Sequence, residues 1–126
     1  MSTRTLTISG VAVDAHRAAV ETTTKDVVAY LEDTIGRGLT AHVAGVHVKT
    51  VDRWRKGEAP RTEAERRLRF TYQVLRLLVS EDSPHTVRAW LIGLNPQLGD
   101  VAPADAIREG KLQDVMIAAH AFRSGG

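Results

Sequence analysis

Leu39–Gly57, LTAHVAGVHVKTVDRWRKG, is the stretch on which the reading of this chain turns. Ala41 stands one helical turn before Gly45, a spacing that lets two helices approach closely and then turn where a residue without Cβ takes positive φ. Val46 follows as a plug under the turn. Val51 and Trp54 are three apart and share one face of the next helix. At about 100° per residue, Lys49, Asp52, Arg53 and Lys56 form a single stripe on the opposite face. An amphipathic helix with a mainly basic wet face, set after a tight glycine turn, suits the major groove of a duplex. The expected nucleic-acid contacts are therefore His47, Lys49, Thr50, Asp52, Arg53 and Lys56. His47 falls at the N-cap of the reader helix, where Ser, Thr, Asp or Asn caps better; once protonated it is also suited to a phosphate. An ordinary helical hairpin with a solvated basic face fits the same pattern.

Charge distribution points the same way. The 126 residues carry a net charge of only +2, yet between His47 and Arg76 nine Lys and Arg face four acids. A basic excess that coincides with the turn motif is the footprint expected of a phosphate-facing surface. The apolar fraction of 43% and charged fraction of 25% are those of an ordinary globular protein with a real core. The absence of cysteine excludes disulfides, thiolate metal sites and thiol nucleophiles. No metal site is expected from His16, His42, His47, His85 and His120, which lack paired-ligand spacing. No cofactor cradle or catalytic grouping is recognisable either, so no enzyme is expected. The start, MSTRTLTISG, lacks an apolar signal core and no run approaches a membrane span, which predicts a cytoplasmic chain with no membrane partner.

Working outward, the chain reads as all-α. Residues 1–23 form a Thr-rich arm; Thr5–Ile8 alternates like a strand, either disordered or added to a partner, and Val11–Val20 allows a turn or two of helix. A first helix is expected from about Lys25 to Ile35, with Val27, Val28, Leu31 and Ile35 inward and Gly36 as its stop. Together with the turn motif it makes a helix-turn-helix module over 24–60. Thr62-x-x-Glu65 is a capping box that opens a long shared helix to about Ser80, within a connecting segment 61–82. Its stripes Leu68/Tyr72/Leu75/Val79 and Phe70/Val74/Leu77/Leu78 leave only Arg66, Arg69, Gln73 and Arg76 wet, as in a helix held between two partners. Within 83–126, Ser83-Pro84 starts a helix to Ile92, Pro103 starts a short one ending at Gly110, and Lys111–Phe122 is the last. Leu112, Val115, Met116, Ala119 and Phe122 share its apolar stripe, and the final Arg123–Gly126 is flexible by composition.

The segment Val87–Gly110, VRAWLIGLNPQLGDVAPADAIREG, resembles the C-terminal module of the Xre/MbcA/ParS-type antitoxins. Trp90-Leu91, Asn95, Leu98-Gly99, Pro103 and Gly110 carry the resemblance, which with the upstream motif spans roughly residues 25–123. Departures are Leu94 for the family's Pro, Asp100 for its second Gly, and Ala104, Ala106 and Ile107 for bulkier leucines. The resemblance implies a RES-type, NAD-degrading toxin as partner, clasped by the C-terminal module, and operator DNA bound by a homodimer for autorepression. It nominates Trp90, Asn95, Leu98, Arg108, Phe122, Arg123, Ser124 and Gly126 for toxin contact, with the tail approaching the toxin's NAD pocket. A stand-alone dimeric transcription regulator, or a helical interaction module whose reader no longer holds DNA, is compatible with the same residues.

Overall fold

Helix starts and stops fall where short-range chemistry puts them. In the computed structural model, which describes residues 22–125, the elements are α1 (Thr24–Ile35), α2 (Arg37–Ala44), α3 (Val48–Arg55), α4 (Thr62–Val79), α5 (Pro84–Ile92), α6 (Pro103–Arg108) and α7 (Leu112–Arg123). A single 3₁₀ turn, Pro96–Leu98, links α5 to α6. The all-α expectation holds across the described residues, and the strand and helix expected within 1–20 lie outside them. Thr23 caps α1 by accepting the Asp26 amide at 3.1 Å, and Ser83 caps α5 by accepting the Thr86 amide at 3.2 Å with Pro84 behind it.

One start differs from expectation. Thr62 is the first helical residue of α4 and Arg61 is its N-cap, with no side-chain cap, so the capping box does not form. Glu65 is drawn elsewhere: it accepts from Thr24 Oγ1 and from Arg69 Nε, each at 2.9 Å. Arg69 Nη1 also donates to Thr22 O at 2.8 Å, so the first turns of α1 and α4 are tied through one carboxylate and one guanidinium.

α4 is the axis of the molecule, in contact with α1, α2, α5, α6 and α7. Leu68, Tyr72, Val74, Leu75, Leu77 and Leu78 are buried along it, which is the two-sided burial its pattern predicts. Tyr72 meets Tyr30 of α1 edge-on, with ring centroids 5.0 Å apart. One hydrophobic core runs from Val27, Val43, Val51 and Trp54 through α4 to Val87, Leu91, Ile107 and Val115. The 24–60 and 83–126 segments therefore share a core. Their joint is α2 against α6, with Arg108 Nη1 donating to His42 O at 3.1 Å and His42 Nε2 lying 2.6 Å from Asp105 Oδ1. Arg88 Nε of α5 donates to Ile35 O at the end of α1, at 3.2 Å.

Candidate nucleic-acid interface and an apolar groove

The turn between α2 and α3 is built as its glycine requires. Gly45 has φ +80°, its amide donates to Ala41 O at 3.0 Å and His42 O at 3.1 Å, and the Val46 amide donates to Ala41 O at 3.0 Å. These bonds close the last orphan carbonyls of α2 in a Schellman turn. Val46 lies half-buried against the core beneath it. His47 then caps α3, its Nδ1 accepting the Lys49 amide at 3.1 Å. Val51 and Trp54 are buried, and Lys49, Arg53 and Lys56 are exposed on the other side.

The ion pairs sort the expected contacts. Asp52 is turned sideways, accepting from Arg37 Nη1 at 2.7 Å, which cancels the only negative charge in the stripe. Arg53 lies 3.2 Å from Glu58 and donates to Thr50 Oγ1 at 3.3 Å. Arg55 lies 3.1 Å from Glu32 of α1. Lys49 and Lys56 have no ion pair with a described residue, so two uncompensated ammonium groups flank the Arg53 guanidinium. Such a face can take phosphates with its lysines and a base edge with its arginine, once Arg53 leaves Glu58. Arg37 was not among the expected contacts. Its pairing with Asp52 joins α2 to α3 across 15 positions, and no local pattern announces it.

The residues nominated for protein contact are brought together only in part. Trp90, Asn95 and Phe122 line one groove of about 380 Å³ with Leu94, Pro96 and Gln97. Trp90 and Phe122 rings pack at 5.8 Å between centroids. Asn95 shapes the rim: its side chain accepts the Gln97 amide at 2.9 Å, and its backbone bridges Val101. Asp100 takes φ +63°, a left-handed position that glycine occupies at no cost and Asp tolerates, so the departure at this position does not prevent the turn. Leu98 is half-buried against the core. Large apolar side chains stand open at Leu94, 75% exposed, Ile117, 58%, and Ile92, 54%.

Three of the nominated residues, two of them from the expected tail, have partners within the chain. Arg108 is spent on α2, as described. Arg123 is the last residue of α7, half-buried, with its Nη2 2.5 Å from Glu81 Oε2 at the end of α4. Ser124 Oγ donates to His120 O at 3.0 Å. The helix runs one residue further than expected because Arg123 has this partner 42 positions away. Gly126 lies outside the described residues. Among the described residues no three His, Asp or Glu cluster as metal ligands do, and no helix is long and apolar enough to cross a membrane. Comparisons of the chain with protein-family models, with curated proteins and with solved structures gave no match.

Proposed function

We propose that this protein is an antitoxin that represses its own promoter through α3 and restrains a RES-type, NAD-degrading toxin through the groove between α5 and α7. The observation that carries the reading is the Gly45 turn followed by a helix buried through Val51 and Trp54, with Lys49, Arg53 and Lys56 facing water. A second protein is supported by the groove at Trp90, Asn95 and Phe122 and by the open Leu94 beside it. The toxin's identity rests on the resemblance of Val87–Gly110 alone. As a homodimer the chain would read two half-sites one helical turn, or a multiple, apart.

The test has two arms. Arg53→Ala weakens binding to the upstream region by about 1–3 kcal/mol if it reads a base edge, whereas Lys56→Ala lowers affinity evenly across sequences and reduces the salt slope by about one. Leu94→Glu, on a side chain 75% exposed, leaves the fold and DNA binding intact and breaks co-purification with the neighbouring toxin. A chain that binds its upstream region but never associates with that toxin is the stand-alone dimeric regulator. The tethering of Arg123 to Glu81 favours this second reading, because it holds within α7 a side chain that the resemblance assigns to a partner's pocket.

A further inference from the structure

A cleft of about 440 Å³ lies between the α2–α3 turn and the start of α4, lined by Gly45, Thr50, Arg53, Trp54, Arg61 and Arg67. Three of its twelve lining residues are arginines. Arg53 is engaged by Glu58, but Arg61 and Arg67 have no ion pair or side-chain hydrogen bond with any described residue. Glu63 is the other carboxylate lining the cleft, so two unpaired cations face one acid. Arg67 is the more telling. Its Nε is buried with no acceptor, and its two Nη atoms lie between two glycine turns. A methyl group added at Gly45 would be 3.9 Å from Nη1 and one at Gly110 3.9 Å from Nη2. A buried donor left unmet is uncommon and calls for an acceptor. A group with several anionic oxygens meets a guanidinium fork better than a single carbonyl does.

We propose that this cleft holds a phosphate group, with Arg67 and Arg61 as its principal ligands and Thr50 at its mouth. The phosphate has two sources of the same chemistry: the backbone of the duplex read by α3, or a free phosphorylated small molecule. The first source rests on the regulatory reading above; the second does not. On the first, α4 adds a backbone clamp beside the reader helix, since Thr50 and Arg53 line the cleft and also belong to the expected nucleic-acid contacts.

The test uses the full chain, isotope-labelled, titrated with inorganic phosphate at constant ionic strength set by chloride. Saturable amide shifts confined to residues around Gly45, Thr50 and Arg61–Arg67 are expected. Arg67→Gln should weaken that binding at least about tenfold and Arg61→Gln by less, while Lys25→Gln, an exposed cation on α1, changes nothing. A mixed-sequence duplex of about two helical turns supplies the second arm: each lost clamp contact lowers the salt slope by about one. A reduced slope, with phosphate displaced by duplex, identifies the backbone as the source. Saturable phosphate binding with an unchanged slope identifies a free phosphorylated ligand. Scattered, unsaturated shifts that are identical in Arg67→Gln, with an unchanged slope, overturn the proposal and leave Arg67 as a stabiliser of two helix ends. Should Arg67→Gln fail to fold, the exposed Arg61→Gln decides. A chain that ignores duplex altogether removes the DNA reading and leaves the cleft to the phosphate titration.

Discussion

Trp54 and Glu65 show how differently two side chains can matter in the same small protein. Trp54 is 3% exposed and props α3 from behind, so its removal leaves a cavity that neighbouring helices cannot fill. Trp54→Ala is expected to cost about 3–5 kcal/mol in urea unfolding, and to affect the proposed DNA binding only through loss of the fold. Glu65 is polar and half-buried, and its effect depends on pH. Hydrogen bonds from Arg69 and then Thr24 hold its carboxyl below the usual carboxylate range, against a smaller opposing effect of burial. Since the folded state has the lower pKa, the ionised group stabilises the fold above the ordinary carboxylate range. That contribution is lost as pH falls through the depressed value. Glu65→Gln should therefore melt below the native chain at neutral pH, and the gap should close on acidification below about pH 4. A gap that persists unchanged in acid would mean that the charge of Glu65 contributes nothing to the tie between α1 and α4.

At the scale of an element, α3 has only 8 residues and cannot persist alone, so its ends matter as much as its buried face. The N-terminal end depends on His47 Nδ1 accepting the Lys49 amide, a role open only to an imidazole whose Nδ1 carries no proton. His47→Ala is expected to lose about 1 kcal/mol in denaturant unfolding, while His47→Asn retains the cap and the stability. Equal stability of the two variants would show that the cap contributes nothing. This end of α3 was legible in the chain, as were the Thr23 and Ser83 starts, Gly45 and the buried Val51/Trp54 pair, because each is encoded within about one helical turn. The failures share the opposite cause. Thr62-x-x-Glu65 has the local form of a capping box, but Thr24, 41 positions away, competes for the carboxylate. Arg123 ends a stretch that composition reads as tail, yet Glu81 holds it in the helix. Asp52 belongs to the basic stripe by periodicity, and Arg37 pulls it aside. In all three cases a long-range polar partner outweighed a correct local pattern, and one chain read alone gives no signal for such partners.

For the whole molecule, the consequential contact is α2 against α6, because it joins the first helix of the turn motif to the segment that carries the apolar groove. Two modules joined only by α4 would melt separately, each with its own transition. Here Val43 and Val51 belong to the same core as Leu91, Ile107 and Val115, and Arg108 donates to the His42 carbonyl in the last turn of α2. A single cooperative transition is therefore expected. The two tryptophans allow a direct check, since Trp54 reports on α3 and Trp90 on the groove. Variants Trp54→Phe and Trp90→Phe each leave one fluorophore, and their urea curves, each scaled to its own stability, should overlay the helical signal of the same variant. A chain cut after residue 82 should fail to fold, because it leaves the α6-facing side of α2 and one whole flank of α4 open to water. Separate transitions, or a folded 22–82 fragment, would show that the shared core is not cooperative. Coincident transitions would mean that a protein bound at Trp90 and Phe122 and a duplex bound at α3 load the same packed helices. Occupancy of one site could then alter affinity at the other without any hinge, and by linkage the effect would be equal in both directions.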